Sequence, residues 1–296
     1  MNWDDMRIFL AVARAESLTG AGKALRLDPA TLGRRIARLE ETLGAALFAR
    51  SPRGYGLTEE GERLMARAVQ AEQALAEGVE DLRGQEGQLT GAVRIGAPDG
   101  VANFLLPQVA AAICDANPGL EVQIVALPRV FNLSRREADM AIAVSPPKTG
   151  RLTVQKIADY RLHLAAARDY LDRHPPIRGL ADLRAHRLVG YIPDMIFDPE
   201  LDYLSEIGAE RVTLSSNSVS VQLNWLRAGA GLGIVHDFAM PAAPGLVRVL
   251  PGQVSLSRSF YLIRHGDDRK LARLSRFAGL LSEGVRAEVA RLEALA

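Results

Sequence analysis

The chain has 296 residues, with 36 Lys and Arg against 35 Asp and Glu for a net charge of +1, and is 48% hydrophobic and 24% charged. That length and balance fit a soluble globular protein of two or three domains and exclude a disordered, fibrous or membrane-embedded one. One cysteine, Cys114, rules out an intramolecular disulfide and a cysteine-based zinc site. Asp4 and Asp5 stand where a secretory signal would be basic, and the uncharged run Val101 to Cys114 is too short and too polar to span a bilayer. A cytoplasmic location with no membrane contact is the expectation.

Asp4 to Ala15 places Met6, Phe9, Leu10 and Ala13 at helical spacing, and Ser17 to Leu25 does the same with Leu18, Ala21, Ala24 and Leu25. Asp28-Pro29 then punctuates the chain, because aspartate caps a helix start and proline is tolerated at the first helical position. The following helix carries Leu32, Ile36, Leu39 and Leu43 on one stripe. Its opposite face is centred on Arg34 and Arg38, with Thr31 and Ala30 near the start. Such a face suits a DNA major groove, although a merely solvated surface helix has the same pattern. The next stretch decides between them: Leu47 to Arg50 and Leu57-Thr58 flank the proline- and glycine-rich tip Ser51 to Gly56, two short strands forming a wing. Between Lys23 and Arg53 seven basic residues face three acids, a local balance of +4. Positive charge is concentrated where a duplex would dock.

These residues resemble the LysR-type transcriptional regulators. The matching run includes Asp4 to Phe9, Ser17-Leu18-Thr19, Ala24-Leu25, Arg34-Arg35-Ile36, Leu39-Glu40, Leu43-Gly44, Leu47 to Arg50 and Leu57 to Gly61. The resemblance implies DNA contacts from Thr19, Ala30, Thr31, Gly33, Arg34, Arg35 and Arg38, and from the wing residues Arg50 and Arg53. Gly33 departs from the family, which usually has serine there; glycine donates no hydroxyl to phosphate and costs the helix about 1 kcal/mol relative to alanine.

After the wing, Thr58 is placed to cap a helix whose first turn holds Glu59 and Glu60, acids that favour the positive end of the helix dipole. Leu64, Met65, Ala68, Leu75, Val79 and Leu82 continue a seam to about Arg83, a rod of about 35 to 40 Å. A seam with no core of its own calls for a partner helix; an exposed single helix is the alternative. In the resembled family this linker pairs two subunits, and tetramers built as dimers of dimers are implied in the same way. Gly84 to Gly91 reads as a flexible boundary.

Beyond it strand and helix alternate, which argues for a parallel α/β sheet. Strands are expected at Val93–Gly96, Leu120–Ala126, Met140–Val144, His163–Ala167, Arg187–Tyr191, Arg211–Ser215, Gly233–Val235 and Ser259–Arg264. Helices are expected at Phe104–Ile113, Phe131–Glu137 and Ser218–Arg227, with a last one opened by Asp267 or Asp268 and carrying Leu271, Leu274, Phe277, Leu281 and Val285. By resemblance this is a two-lobed, periplasmic-binding-protein-like effector domain, with crossings near Asp159-Tyr160-Arg161 and Arg264-His265. The expected fold class is thus α plus α/β: a winged helix-turn-helix over 1–58, a linker and hinge over 59–90, and an effector domain over 91–296. Its first lobe would span about 91–160 and 266–296, its second about 161–265.

In open α/β sheets ligands collect at strand ends and helix starts. Ala97-Pro98-Asp99-Gly100-Val101 and Ser215-Ser216-Asn217-Ser218-Val219 satisfy that rule, and by resemblance face each other across a cleft. Ala97, Pro98, Asp99, Gly100, Arg129, Ala143, Asn217 and Ser218 are the candidate effector residues. Asp99 and Asn217 or Ser218 have a blander reading as helix caps, and Arg129 as solvated surface. The family commonly has serine or threonine where this chain has Asp99, and an acid there repels anions, so a cationic or hydroxyl-bearing effector is admitted beside a small anionic one.

Gly229 to Gly233 resembles a phosphate loop, but it follows a helix and precedes a strand, the reverse of dinucleotide binding. Ser145-Pro146-Pro147-Lys148 has a serine-x-x-lysine spacing that its prolines keep from forming a helical turn. The histidines at 163, 174, 186, 236 and 265 show no ligand spacing, so neither metal nor cofactor is implied. No convergent catalytic set is visible, and a solute-binding transport protein would have no use for the wing. The expectation is a bacterial, homo-oligomeric regulator that binds double-stranded DNA and responds to a small molecule; it is not an enzyme.

Overall fold

A computed structural model describes residues 2–51, 54–82, 88–126, 138–147, 152–208, 211–266 and 272–296. The chain forms two compact units, Met1–Glu86 and Gly87–Ala296.

The first unit is built from α1 (Trp3–Ala15), α2 (Leu18–Leu25), α3 (Pro29–Leu43), the antiparallel pair β1 (Phe48–Ser51) and β2 (Gly54–Leu57), and α4 (Glu59–Leu82). Its helix starts are set by side-chain oxygens. Asn2 and Asp5 form a capping box on α1, Ser17 accepts from the Gly20 N–H, and Asp28 accepts from the Thr31 N–H with Pro29 just behind it. Gly44, at φ +65°, ends α3 in the left-handed region that favours glycine. Met6, Ile8, Phe9, Leu10, Val12, Ala21, Leu32, Ile36, Leu39, Leu47 and Phe48 make the core. Two stripes are narrower than their periodicity predicts: Ala24 is exposed, and Leu43 is 39% exposed.

Two glycines allow close approach. A Cβ on Gly22 would sit 2.7 Å from the Leu27 carbonyl, and one on Gly61 would sit 2.1 Å from the Leu47 carbonyl, so the turn before α3 and the seat of α4 against the wing both need a bare backbone. Thr58 serves two elements: its hydroxyl donates to the Ala46 carbonyl and accepts from the Gly61 N–H. The first half of the α4 seam corrects the expectation that it has no core of its own. Ala68 is buried, and Leu64 and Met65 pack on the core of this same unit. Glu72 is ion-paired with Arg14 of α1. Leu75, farther along, is 53% exposed; the side chains of Val79 and Leu82 lie outside the described residues.

The second unit is a mixed sheet flanked by helices. Its elements are β3 (Gly91–Ala97), α5 (Asp99–Phe104), α6 (Leu106–Ala116), β4 (Leu120–Ala126), β5 (Met140–Ala143), β6 (Leu152–Ala167), α7 (Arg168–Asp172), β7 (Leu188–Gly190), β8 (Leu214–Ser215), α8 (Val219–Arg227), β9 (Leu232–His236), β10 (Leu246–Arg248), β11 (Ser255–His265) and α9 (Ala272–Glu293). The strand order is β4-β3-β5-β11-β6-β9-β7-β8, with β10 also on β6. Strands β3, β4 and β5 run parallel in the first lobe, and β7, β8 and β9 in the second, while β6 and β11 run antiparallel between them.

The expected strand at His163–Ala167 is the end of a 16-residue strand. Its first part, Leu152 to Arg161, is punctuated by Gln155, Lys156, Asp159 and Arg161 and reads as polar; pairing along β11 makes it a strand nonetheless. On β6, pairing with β9 begins at Leu162, next to the expected crossing at Asp159-Tyr160-Arg161. On β11, Arg264 and His265, the other expected crossing, pair with Met140, Thr153 and Leu152, and the register shifts earlier, between Phe260 and Tyr261. An aromatic cluster joins the two strands: Tyr160 stacks on Phe260 with centroids 4.0 Å apart and on His236 at 5.5 Å. The helix expected at Phe104–Ile113 is α6, starting at Leu106 and running on to Ala116, and a separate short helix, α5, precedes it from Asp99. The expected helix at Phe131–Glu137 and the cap at Asp267 or Asp268, with Leu271, lie outside the described residues. On α9, Leu274, Phe277, Leu281 and Val285 are buried. Cys114 is a free, half-buried cysteine against the main core.

Candidate DNA-binding and effector sites

The outward face of α3 is open. Ala30, Arg34 and Arg38 are exposed, Thr31 is half-buried, and the Arg34 guanidinium donates to the Thr31 hydroxyl at 3.2 Å, one turn back on the same face. Thr19 is exposed on α2. Gly33 is half-buried, and among the described residues a Cβ there would meet only Leu18 Cδ1 at 3.4 Å, so packing does not require glycine here. Arg35 is placed differently from its neighbours. Its Nε and Nη2 donate to one carboxylate oxygen of Asp5 at 3.0 and 2.7 Å. At 100° per residue it turns away from Arg34 toward the start of α1. Burial pushes the Asp5 carboxyl up, but hydrogen bonds from Arg35 and the Asn2 backbone and the Arg35 charge outweigh it and leave the group below the usual carboxylate range.

Strands β1 and β2 form the expected ladder, from Phe48 opposite Leu57 to Ser51 opposite Gly54. The entry to β1 is held by Glu40, whose carboxylate accepts from the Leu47 and Phe48 N–H groups at 2.8 and 3.1 Å. In the charge balance Glu40 is simply an acid; its role in aiming the wing is invisible from the sequence. Arg50 lies on β1, but its side chain, like the whole of Arg53, lies outside the described residues.

In the second unit, Ala97 ends β3 in the core, Pro98 precedes α5, and Gly100 is buried. Ser218 is the N-cap of α8, its hydroxyl accepting from the Val221 N–H at 3.3 Å. Asn217 is half-buried just before it. Ala143 ends β5, half-buried and paired with Tyr261. Arg129 lies outside the described residues. The structure brings Asp99 and Ser218 together: one Asp99 oxygen, Oδ2, accepts from the Ser218 hydroxyl at 3.1 Å, from the Ser220 N–H at 3.0 Å and from the Ser220 hydroxyl at 3.2 Å. The other, Oδ1, accepts from Asn103 at 3.1 Å. A second bond between the lobes joins the Ser145 hydroxyl to the Asp198 carboxylate.

Next to Asp99, Gly100 packs close to aromatic and polar side chains. A Cβ on Gly100 would lie 3.7 Å from both the His236 Cε1 and Val219. His236 is 5% exposed, and burial lowers its pKa to about 3, so the ring is neutral. Its Nε2 is 3.5 Å from the Tyr203 hydroxyl, and its Nδ1 has no hydrogen-bond partner among the described residues. Ser145, Asp198, Tyr203, Ser220 and His236 were not among the candidates from sequence. Ser145 and His236 carry sequence signals for other chemistry, a serine-x-x-lysine spacing and a possible metal ligand, and Ser220 is the last serine of the run from Ser215. A cavity of about 280 Å3 adjoins α8 and is lined by Tyr191, Pro193, Ile196, Tyr203, Arg211 and Gln222, but all its walls come from the second lobe.

The glycine run after α8 separates into two roles. Gly229, at φ +68°, stops the helix, whereas Gly231 and Gly233 lie under the Arg187 and Val189 carbonyls, where a Cβ would come within 2.4 and 2.8 Å. They let β9 approach β7. Among the described residues no cluster of three or more His, Cys, Asp or Glu is placed to hold a metal ion, and no helix is long and apolar enough to cross a membrane.

Comparison with known proteins agrees with both halves. Residues 3–62 match the model of the bacterial regulatory helix-turn-helix protein, lysR family, and residues 86–286 match the LysR substrate binding domain. The transcriptional regulator PtxR of Pseudomonas aeruginosa is 29% identical over 261 residues, 85% of this chain and 83% of its own. The Mau operon transcriptional activator of Paracoccus denitrificans is 27% identical over 277 residues, covering 92% and 93%. Among solved structures, a full-length OxyR variant from P. aeruginosa aligns with a TM-score of 0.71 at 19% identity, covering 96% and 94%. Full-length LysG from Corynebacterium glutamicum with bound effector Arg aligns at 0.63 and 20%, covering 96% and 98%. An open, basic helix with an attached wing, followed by a two-lobed α/β domain, is thus matched along nearly the whole chain: it belongs to the LysR-type transcriptional regulators, with a DNA-binding helix-turn-helix domain and an effector-binding domain.

Proposed function

We propose that this regulator reads its operator with Ala30, Thr31, Arg34 and Arg38 in the major groove, while Thr19 and the wing arginines Arg50 and Arg53 hold phosphates. The observation that carries this reading is the exposed α3 face, capped at its start by Asp28 and free of intramolecular carboxylates at Arg34 and Arg38 among the bonds of the described residues. Arginine at such positions pairs with guanine edges, and the alanine and threonine methyls suit thymine. Arg35 is left out of the contact set, since Asp5 holds it.

The protein acts as a cytoplasmic homo-oligomer, not as an enzyme. Two chains pair along the part of α4 beyond Glu72, where Leu75 is exposed, and dimers of dimers extend the footprint. Two-fold pairing places two recognition helices on successive half-sites. A small molecule bound between the lobes, against Asp99, Gly100, Ser218 and the loop after Ala143, favours one subunit arrangement over another. For that to regulate, the two arrangements must bind the molecule with different affinity.

Footprinting on the DNA flanking the coding region, with and without a metabolite library, tests the reading. A symmetric protected site whose length changes with one compound supports it. Failure to protect any fragment, in a sample that remains monomeric at micromolar concentration, overturns it.

A further inference from the structure

We propose that Asp99 is a tethered carboxylate that fills the anion position at the start of α8 and latches the two lobes together with no ligand bound. The inference rests on reading the cleft as the effector site. The first N–H groups of a helix lack partners within the helix and, with the helix dipole, attract an anion. Here the Ser220 N–H and the hydroxyls of Ser218 and Ser220 all converge on one oxygen, and that oxygen belongs to a residue 119 positions before Ser218, on the opposite lobe. Asn103 holds the other oxygen from within α5, which fixes the carboxylate in the orientation that reaches α8.

Two further observations support a latch. The Ser145 and Asp198 side chains join the lobes a second time, again with a carboxylate accepting from a serine. Beside Gly100, the neighbour of Asp99, lies the Cε1 of the buried His236, 3.7 Å from where a Cβ on that glycine would sit, and the ring Nδ1 has no partner among the described residues. A ligand entering beside Asp99 would use that hydrogen-bonding capacity. A carboxylate ligand would have to displace Asp99 from the serines, whereas a ligand with an ammonium or hydroxyl donor can bind with Asp99 in place.

The test uses the full chain in a Trp3→Phe background. That leaves Trp225, on α8 and packed against the core, as the sole tryptophan reporting on this helix. Asp99→Ala should shift Trp225 emission and lower the thermal midpoint. Sodium acetate, compared with chloride at equal ionic strength, should reverse both changes with half-saturation on the order of 10 mM, as expected for so small a ligand. Wild type should not respond. Adding Ser218→Ala and Ser220→Ala to Asp99→Ala should weaken the acetate response at least about tenfold, the loss expected when charge-assisted hydrogen bonds are removed. Should Asp99→Ala fail to fold, Asp99→Ser carries the same comparison. Equal acetate responses in wild type and variant, or none in the variant beyond chloride, overturn the latch. A wild type that protects DNA while the variant ignores acetate loses only the latch; acetate rescue in a chain that binds no DNA retains the latch and loses the regulator reading.

Discussion

Arg34 and Arg35 are adjacent in sequence, and replacing each by alanine should have opposite consequences. Arg35 is 31% exposed and Asp5 19% at the side chain, and two guanidinium N–H groups converge on one Asp5 oxygen. A fully exposed pair is worth about 0.2 to 1 kcal/mol, and a hydrogen bond to a charged group about 1.5 to 3; discounted for this partial exposure, Arg35→Ala should cost about 1 to 2 kcal/mol of stability in the first unit. Asp5→Ala should cost about the same, and the double variant should reveal a coupling of about 1 kcal/mol. Because the folded Asp5 carboxyl titrates below its usual value of 3.8, this contribution is present above that pH and lost as pH falls through the folded value. Among the described residues Arg34 bonds only to Thr31 on its own exposed face, so Arg34→Ala should leave stability within about 0.5 kcal/mol. It should instead weaken operator binding by about 1 to 3 kcal/mol and relax base preference at one position. Urea unfolding in a Trp225→Phe background, where Trp3 reports on α1, measures the first effect, and fluorescence anisotropy on operator variants the second. Equal destabilisation by Arg34→Ala and Arg35→Ala would refute this division of roles. So would an Arg35→Ala variant that keeps its stability and loses about one unit of slope in the salt dependence of DNA binding, the mark of a phosphate contact.

Gly33→Ala should raise the stability of the first unit by about 1 kcal/mol, since among the described residues the added methyl meets only Leu18, whereas Gly61→Ala, driven into the Leu47 carbonyl, should prevent its cooperative folding; thermal melts distinguish the two. His236 gives the effector domain an acid-sensitive component: with a folded pKa of about 3 against 6.5, the unfolded chain takes up a proton that the folded one refuses. Stability should therefore fall by about 1.4 kcal/mol per pH unit from the unfolded pKa downward on this account, and His236→Phe should remove that part of the slope in Trp225-monitored unfolding. Arg53→Ala should flatten the salt dependence of DNA affinity by about one unit; an unchanged slope removes the wing tip from the interface.

Much of the first unit was legible before folding because its determinants are local. Asp28 and Thr58 cap the helices they precede, and Pro29 opens the recognition helix, since a cap acts over about three residues and a helical stripe repeats about every 3.6. In the first half of α4 the seam has a cover that periodicity does not reveal, because a helical repeat gives a face but not what packs on it. In the second unit the alternation of strand and helix was readable, but the first part of β6 was not, its polar positions masking a strand that the β11 ladder stabilises.

Local order along the chain was enough to specify the helix-turn-helix, the wing, the excess of positive charge around them, and two ligand-candidate stretches at strand ends; that those stretches face each other was implied only by the family resemblance. Which charges are free and which are spent emerged from long-range packing alone. Arg35 and Asp5 are 30 residues apart, and Asp99 and Ser220 are 121 apart. No periodicity links such positions, because their meeting depends on how helices cross and on where β6 and β11 pass between lobes. The same carboxylate that sequence reads as a helix cap or an effector contact is, once the chain has folded, a bond between the two walls of the cleft.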